Sequence, residues 1–249
     1  MRNKIHALGQ HMLIDRKIID YEVEIIKPAG KRVLEIGGGN GNLSVELTKA
    51  SFLTIVEIDE EFVKILNEKL GDCKNVKIIK KDFLDLTPKE VGDIDIIVGN
   101  IPYALSSKIL FKLLDYNFEY AVLCFQKEFA ERMIAKAGTS SYSRLSVMTQ
   151  LYFRPILLKT VSKGCFRPVP KVNSAIVYLS KTNESVNKER DKIIKKLFSH
   201  KKKNILSALK SNEFSDEEKE RIKKRINETK IGNKKVFQLD VKDIKLLLS

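Results

Sequence analysis

Ile94-Asp95-Ile96-Ile97-Val98-Gly99-Asn100-Ile101-Pro102-Tyr103 is a short β-branched run that ends in a glycine, an amide, a proline and an aromatic ring. The run 94–98 has the composition of a buried strand, and the Gly and Pro that follow stop it. An amide at such a stop offers a fixed acceptor and a fixed donor. The Tyr103 ring beside it offers a stacking face for a flat base. Pro102 has no N–H, so it holds the backbone without adding a donor. Together they suit a pocket for a planar amine. Asn and Pro are also ordinary turn residues, so the tetrapeptide 100–103 takes its meaning from the segments around it.

Those segments alternate between strand and helix. Residues 33–36 read as a first strand running into Gly37-Gly38-Gly39-Asn40-Gly41, with a helix over 42–50. Residues 52–57 form a second strand, and 60–70 a helix whose Phe62, Ile65, Leu66 and Leu70 make one apolar stripe. Further strands are expected at 76–79, 94–98 and 120–125, with helices at 106–114 and 127–137 and two more strands near 156–160 and 174–179. This alternation predicts an α/β doubly wound, mainly parallel sheet. Ligands bind such sheets beyond the carboxyl ends of the strands. Four chemically distinctive features fall there: the glycine loop, Glu57, Asp82 and Asn100.

Three of the four suit an adenosine-containing cofactor. Gly37 and Gly39 let backbone approach a ligand closely. Glu57, twenty residues after Gly37, is placed to accept from both hydroxyls of a ribose, and Asp82 from an adenine amino group. Asp59 and Asp85, nearby, read as solvated surface. The loop spacing is G-x-G-x-G, with Asn42 where the dinucleotide fingerprint has its third glycine. Two cofactors fit, a nicotinamide dinucleotide and S-adenosylmethionine. The incomplete fingerprint and the tetrapeptide 100–103 favour the second.

The chain has 249 residues and a formal net charge of +14, which favours a polyanionic partner such as nucleic acid. The charge is uneven: residues 181–249 hold 20 Lys+Arg against 11 Asp+Glu and lose the strand-like runs. A boundary near 180 predicts a domain over 1–180 and a small basic helical domain over 181–249. No apolar run approaches the ~18 residues of a membrane span, and the first residues lack the apolar core of a signal peptide. Cys73, Cys124 and Cys165 form no metal-binding pair, and His6, His11 and His200 no metal spacing. The expectation is a cytoplasmic, metal-free monomer that does not bind membranes.

The ordered motifs resemble the ribosomal RNA small-subunit adenine N6,N6-dimethyltransferase family over nearly the whole chain. They are Gly9-Gln10-His11-Met12-Leu13-Ile14-Asp15, Glu35-Ile36-Gly37-Gly38-Gly39-Asn40-Gly41, Asn100-Ile101-Pro102-Tyr103, Tyr142-Ser143-Arg144-Leu145-Ser146-Val147 and Phe166-Arg167-Pro168-Val169-Pro170-Lys171-Val172-Asn173-Ser174. The resemblance implies a Rossmann-like S-adenosylmethionine-dependent methyltransferase sheet with a small helical carboxyl-terminal domain. It implies cofactor contacts from His11, Leu13, Gly37, Gly39, Glu57, Asp82 and Asn100. It also implies that Tyr103 and Phe166 sandwich a target adenine, with Asn100 and Pro102 aligning its amine. Phe166, beside Arg167 and Pro168, is expected on a loop. Met12 stands where the family usually has Phe, which loosens an aromatic contact. Gly38 stands where Pro or another residue is frequent, which leaves the loop freer.

The implied reaction transfers methyl groups to the exocyclic amines of two adjacent adenosines near the 3′ end of small-subunit rRNA. Lys201, Lys202, Lys203, Arg221 and Lys224 would hold RNA phosphates, in free rRNA or in a pre-small-subunit particle. The alternatives are a large-subunit adenine methyltransferase of the macrolide-resistance type, a non-catalytic RNA- or DNA-binding assembly or transcription factor, and a nicotinamide oxidoreductase. Gly9-Gln10 and Tyr142 to Val147 favour the small-subunit enzyme.

Overall fold

A computed structural model describes residues 11–229 and 231–248. Its strands are β1 (Met12–Leu13), β2 (Arg32–Ile36), β3 (Phe52–Glu57), β4 (Val76–Lys80), β5 (Ile96–Asn100), β6 (Tyr120–Gln126), β7 (Phe153–Val161), β8 (Phe166–Arg167) and β9 (Ser174–Lys181). Seven form one sheet in the order β4-β3-β2-β5-β6-β9-β7. The pairs from β4 through β6 are parallel, and β9 runs antiparallel to β6. The order reverses direction at β2, the switch point where open α/β sheets leave a crevice.

The central strands read as near-continuous apolar runs because both faces are covered. Leu34, Leu53, Ile55, Ile96, Ile97 and Val98 have no exposed surface. The helix Glu60–Leu70 starts where Asp59 Oδ1 accepts from Glu61 N–H at 2.8 Å and buries Phe62, Leu66 and Leu70. The helix Arg16–Ile26 starts on Asp15 in the same way, its Oδ1 accepting from Ile18 N–H at 3.2 Å.

Several boundaries differ from the expected ones for local reasons. β5, expected over 94–98, runs from Ile96 to Asn100, because Gly99 and Asn100 still pair with Leu123 and Cys124. Gly99 is where β5 closes on β2: a Cβ there would lie 2.4 Å from Ile36 O. The helix expected over 42–50 is the single turn Ser44–Leu47, since the Asn42 amide donates to Leu13 O and Ala50 bridges to Ala29. The helices Arg16–Ile26 and Arg144–Tyr152 were not anticipated, nor was the ladder pairing β1 with β8. Phe166 lies on that ladder rather than on a loop. Gly38 is not a loosened position: a Cβ there would fall 2.5 Å from Ile55 and 2.9 Å from Leu66.

The chain divides into two units. One runs to Ala130 and resumes over Ile156–Lys181; the other comprises Glu131–Pro155 and the chain from Thr182 onward. This differs from a single cut at 180 by the segment Glu131–Pro155. The helix Arg144–Tyr152 packs on the helices Lys188–Ser199 and Val241–Leu248, and Tyr142 donates its hydroxyl to Leu239 O at 2.9 Å. The last of these partners lie about a hundred residues away, beyond the reach of a periodicity argument.

Candidate active site

One cleft of the first unit collects all the expected catalytic and cofactor residues: His11, Leu13, Gly37, Gly39, Glu57, Asp82, Asn100, Pro102, Tyr103 and Phe166. It opens at the carboxyl edge of β2, β3 and β5. Gly9 and Gln10 of the amino-terminal motif lie outside the described residues. The ladder Leu13↔Phe166 and Met12↔Arg167 joins two motifs about 150 residues apart and closes one side of the cleft. Asn42, read only as a missing glycine, ties that ladder to the glycine loop through Leu13 O at 2.8 Å. Met12 packs its Cγ within 3.5 Å of where a Gly39 Cβ would stand, so the aliphatic chain covers the loop where an aromatic was expected.

The β3 end is internally satisfied. Glu57 is 3 % exposed, and its carboxylate accepts from Gly39 N–H and Asp59 N–H, both at 2.9 Å. Burial raises its pKa, and the Asp59, Gly39 and Ile58 backbone N–H groups offset part of that rise. A carboxylate has about four acceptor positions, so capacity remains for a hydroxyl pair. Asp82 accepts from Leu84 N–H at 2.9 Å through Oδ1 and so caps the turn Phe83–Asp85. Asp59 is a helix cap.

The β5 end differs. The Asn100 Oδ1 is buried and, among the described residues, has no hydrogen-bond partner. The Pro102 carbonyl accepts from Leu105 N–H at 2.9 Å, while the Ile101 N–H is spent on Cys124 O at 3.0 Å. Tyr103 is held at both ends. Its hydroxyl lies 2.7 Å from Ser174 Oγ, and its ring 5.4 Å from the His11 ring at 37°. His11 Nδ1 meets Pro168 O at 2.8 Å. Burial raises the Tyr103 pKa, so it stays a phenol. Phe166 is 2 % exposed and packs into the core while facing the cleft. Cys124 also lines the cleft, but burial pushes its thiol well up, away from thiolate chemistry.

Two acidic residues were overlooked as site residues. Glu35 lines the cleft, and Glu22 lies behind it in the stripe Ile18, Ile19, Glu22, Ile26 that its helix turns inward. Both are almost wholly buried, and each has an Oε2 without a partner among the described residues. Burial raises the pKa of both. Glu35 adds to the rise at Glu22; at Glu35, Ser44 offsets part of it and Glu57 adds to it. A glutamate at helical spacing among isoleucines was the available signal. The cleft therefore carries Glu35, Glu57 and Asp82, and its one lysine, Lys81, is bonded to Glu90 at 2.7 Å. An acid-lined cleft suits a cation and is unfavourable for a pyrophosphate.

In the second unit the expected RNA-binding cations fall into two groups. Arg221 is paired with Glu189 at 2.8 Å, and Lys201 donates to the carbonyls of Ser140 and Tyr142 at 3.3 and 3.2 Å. Lys202, Lys203 and Lys224 are exposed and, among the described residues, unpaired.

Comparison with known proteins agrees with this chemistry. The family described as ribosomal RNA adenine dimethylase matches residues 1–243. A probable ribosomal RNA small subunit methyltransferase A of Thermococcus sibiricus is 38% identical over 245 residues, covering 96% of this chain and 88% of that one. Its Methanopyrus kandleri counterpart is 40% identical over 209 residues, 81% of this chain and 74% of that one. Among solved structures, a dimethyladenosine transferase from Plasmodium falciparum superposes with a TM-score of 0.86 at 29% identity, covering 96% of both chains. The 23S rRNA methyltransferase ErmE gives 0.70 at 29% identity, covering 95% of this chain and 97% of that one. With its acid-lined cleft at the switch point and its orphaned amide at the end of β5, the chain belongs to the ribosomal RNA adenine dimethylase family.

Proposed function

We propose that the protein transfers methyl groups from S-adenosylmethionine to the exocyclic amines of two adjacent adenosines near the 3′ end of small-subunit rRNA. The observation that carries this reading is the buried Asn100 Oδ1, a hydrogen-bond acceptor that no described residue pairs, facing a cleft in which no described residue offers a free lysine or arginine. Leaving such an atom unpaired costs ~1–3 kcal/mol, and an amine donor relieves that cost. The family match and the small-subunit relatives support the choice of substrate.

Glu57 would hold the cofactor ribose, Asp82 its adenine, and Gly37, Gly39, His11 and Leu13 the surrounding walls. When bound, this cofactor supplies an electrophilic methyl on a sulfonium. The protein's own part is positioning. Asn100 Oδ1 and the Ile101 carbonyl accept the two amine hydrogens, which turns the nitrogen lone pair away from the ring and towards the cleft. The Pro102 carbonyl, already bonded to Leu105, fixes the turn. Tyr103 presents a stacking face held in place by Ser174, and Phe166, in the lining of the same cleft, would supply the second aromatic contact. Orientation of this kind supplies ~7–11 kcal/mol of a barrier. No side chain in the cleft is set up as a strong base, and none is needed, because the amine becomes acidic only as it is alkylated. A base taken out of its stack is compensated by ~1–3 kcal/mol per aromatic contact.

Of the expected cations, Lys202, Lys203 and Lys224 are those free among the described residues to meet phosphate, whereas Arg221 is already neutralised by Glu189 and Lys201 is bonded to the Ser140 and Tyr142 carbonyls. The deciding experiment is labelled-methyl transfer to undermethylated small ribosomal subunits, with primer extension on both ribosomal RNAs. Two stops near the small-subunit 3′ end are expected. Stops confined to the large-subunit RNA would assign the macrolide-resistance reaction, and no transfer at all would leave a binding factor.

A further inference from the structure

The buried acids Glu22 and Glu35 have no part in the amine chemistry. Glu22 stands on the helix Arg16–Ile26 and Glu35 on β2, each with a buried oxygen that nothing bonds. Among the described residues, the ionisable groups acting on them from neighbouring elements are Glu57 on β3 and Cys124 on β6, neither of which is positively charged at any pH. Two buried carboxyls without a cation are held neutral by protons. Glu35 also forms part of the cleft lining, so the charge of whatever enters acts directly on it.

S-adenosylmethionine carries a sulfonium, an ammonium and a carboxylate, so it is a net cation. The product left after methyl transfer has lost the sulfonium charge. We propose that Glu22 and Glu35 form a shared proton store beneath the cleft, which gives up a proton to solvent when the cationic cofactor enters and takes one back when the net-neutral product replaces it. The pair thereby sets the preference for donor over product. This rests on the S-adenosylmethionine reading above. Burial raises both groups to about 8, so under this proposal the donor expels a proton at neutral pH and not at pH 9. Donor affinity then rises with increasing pH, by up to about tenfold per unit, until it levels off above pH 8, while product affinity stays flat.

The test is calorimetric titration of the intact chain at pH 7 with S-adenosylmethionine and, separately, with S-adenosylhomocysteine, each in phosphate and in Tris. These buffers differ in ionisation enthalpy, so proton release appears as a difference in binding heat. Release of roughly one proton with the donor, and of almost none with the product, is expected. Glu22→Gln should cut the release by at least half, and Glu22→Gln with Glu35→Gln should remove it. Both substitutions keep the side-chain shape, and an unchanged or raised melting temperature shows that the variants fold. Equal donor heats in the two buffers overturn the proposal, as does a release that is undiminished in Glu22→Gln. If neither ligand binds the wild-type protein, the cofactor reading fails and takes this inference with it; binding without proton release defeats the inference alone.

Discussion

The ends of β3 and β5 present polar side chains to the same cleft from either side of β2. At the β3 end, the Glu57 carboxylate already accepts two backbone N–H groups and shapes the glycine loop before any ligand arrives. At the β5 end, Asn100 Oδ1 is equally enclosed and accepts nothing. A satisfied group holds a ligand in place at little cost to the resting protein. An orphaned group lowers stability, and that cost is recovered only when the right donor occupies it. Glu57 accordingly reads as a binding residue and Asn100 as an aligning one.

Substitution at the orphaned end should have the largest effect. Asn100→Ala is expected to lower turnover by about 10²–10³-fold, the scale of removing one polar group that positions a reacting centre. Cofactor affinity from calorimetry should stay within a few-fold. Equal loss of both would erase the distinction between the two strand ends. Glu57→Gln is expected to do the reverse. It places an NH2 against a backbone N–H and should weaken cofactor binding by about 10- to 100-fold, the range for a charge-assisted hydrogen bond, with turnover at saturation little changed.

Smaller effects refine the picture. Tyr103→Phe keeps the ring and removes the bond to Ser174, so kcat should fall about fivefold for the ~1 kcal/mol of one hydrogen bond, with cofactor Kd unmoved. Glu22→Gln should raise the melting temperature, more at pH 9 than at pH 5. The sign follows from burial: the folded carboxyl, at about 8 rather than 4.5, keeps a proton that the unfolded chain loses as pH rises through that window. Folding therefore binds protons there, and stability falls as pH rises. A melting curve independent of pH for this variant relative to wild type would place Glu22 outside the buried pair. The smallest effect is expected at Arg221, which Glu189 already neutralises. Arg221→Gln should leave the salt dependence of RNA binding unchanged. Changing Lys202, Lys203 and Lys224 together to Gln should instead reduce its slope by about 0.7 for each phosphate that these lysines neutralise.

The four strand-end features were legible because strand and helix periodicity is local and because a parallel sheet delivers every strand to one carboxyl edge. Phe52–Glu57 and Glu60–Leu70 match the expected bounds, and the glycine loop, Glu57, Asp82 and Asn100 meet in one cleft as that logic requires. The β1–β8 ladder escaped notice because two-residue strands carry no period. Glu22 escaped because a single acid in an amphipathic stripe is ordinary on a solvent face; only the packing of its helix on β6 puts it inside.

Residue type and spacing therefore specified the reaction class, because the chemistry needed at each strand end is written in consecutive residues. Which of those groups are satisfied and which are left waiting was settled only in three dimensions. Asn100 is orphaned, Arg221 is neutralised from 32 residues away and Glu22 is enclosed beside Glu35. Hydrogen-bond satisfaction and desolvation depend on neighbours brought together by folding, and no stretch of contiguous sequence contains them.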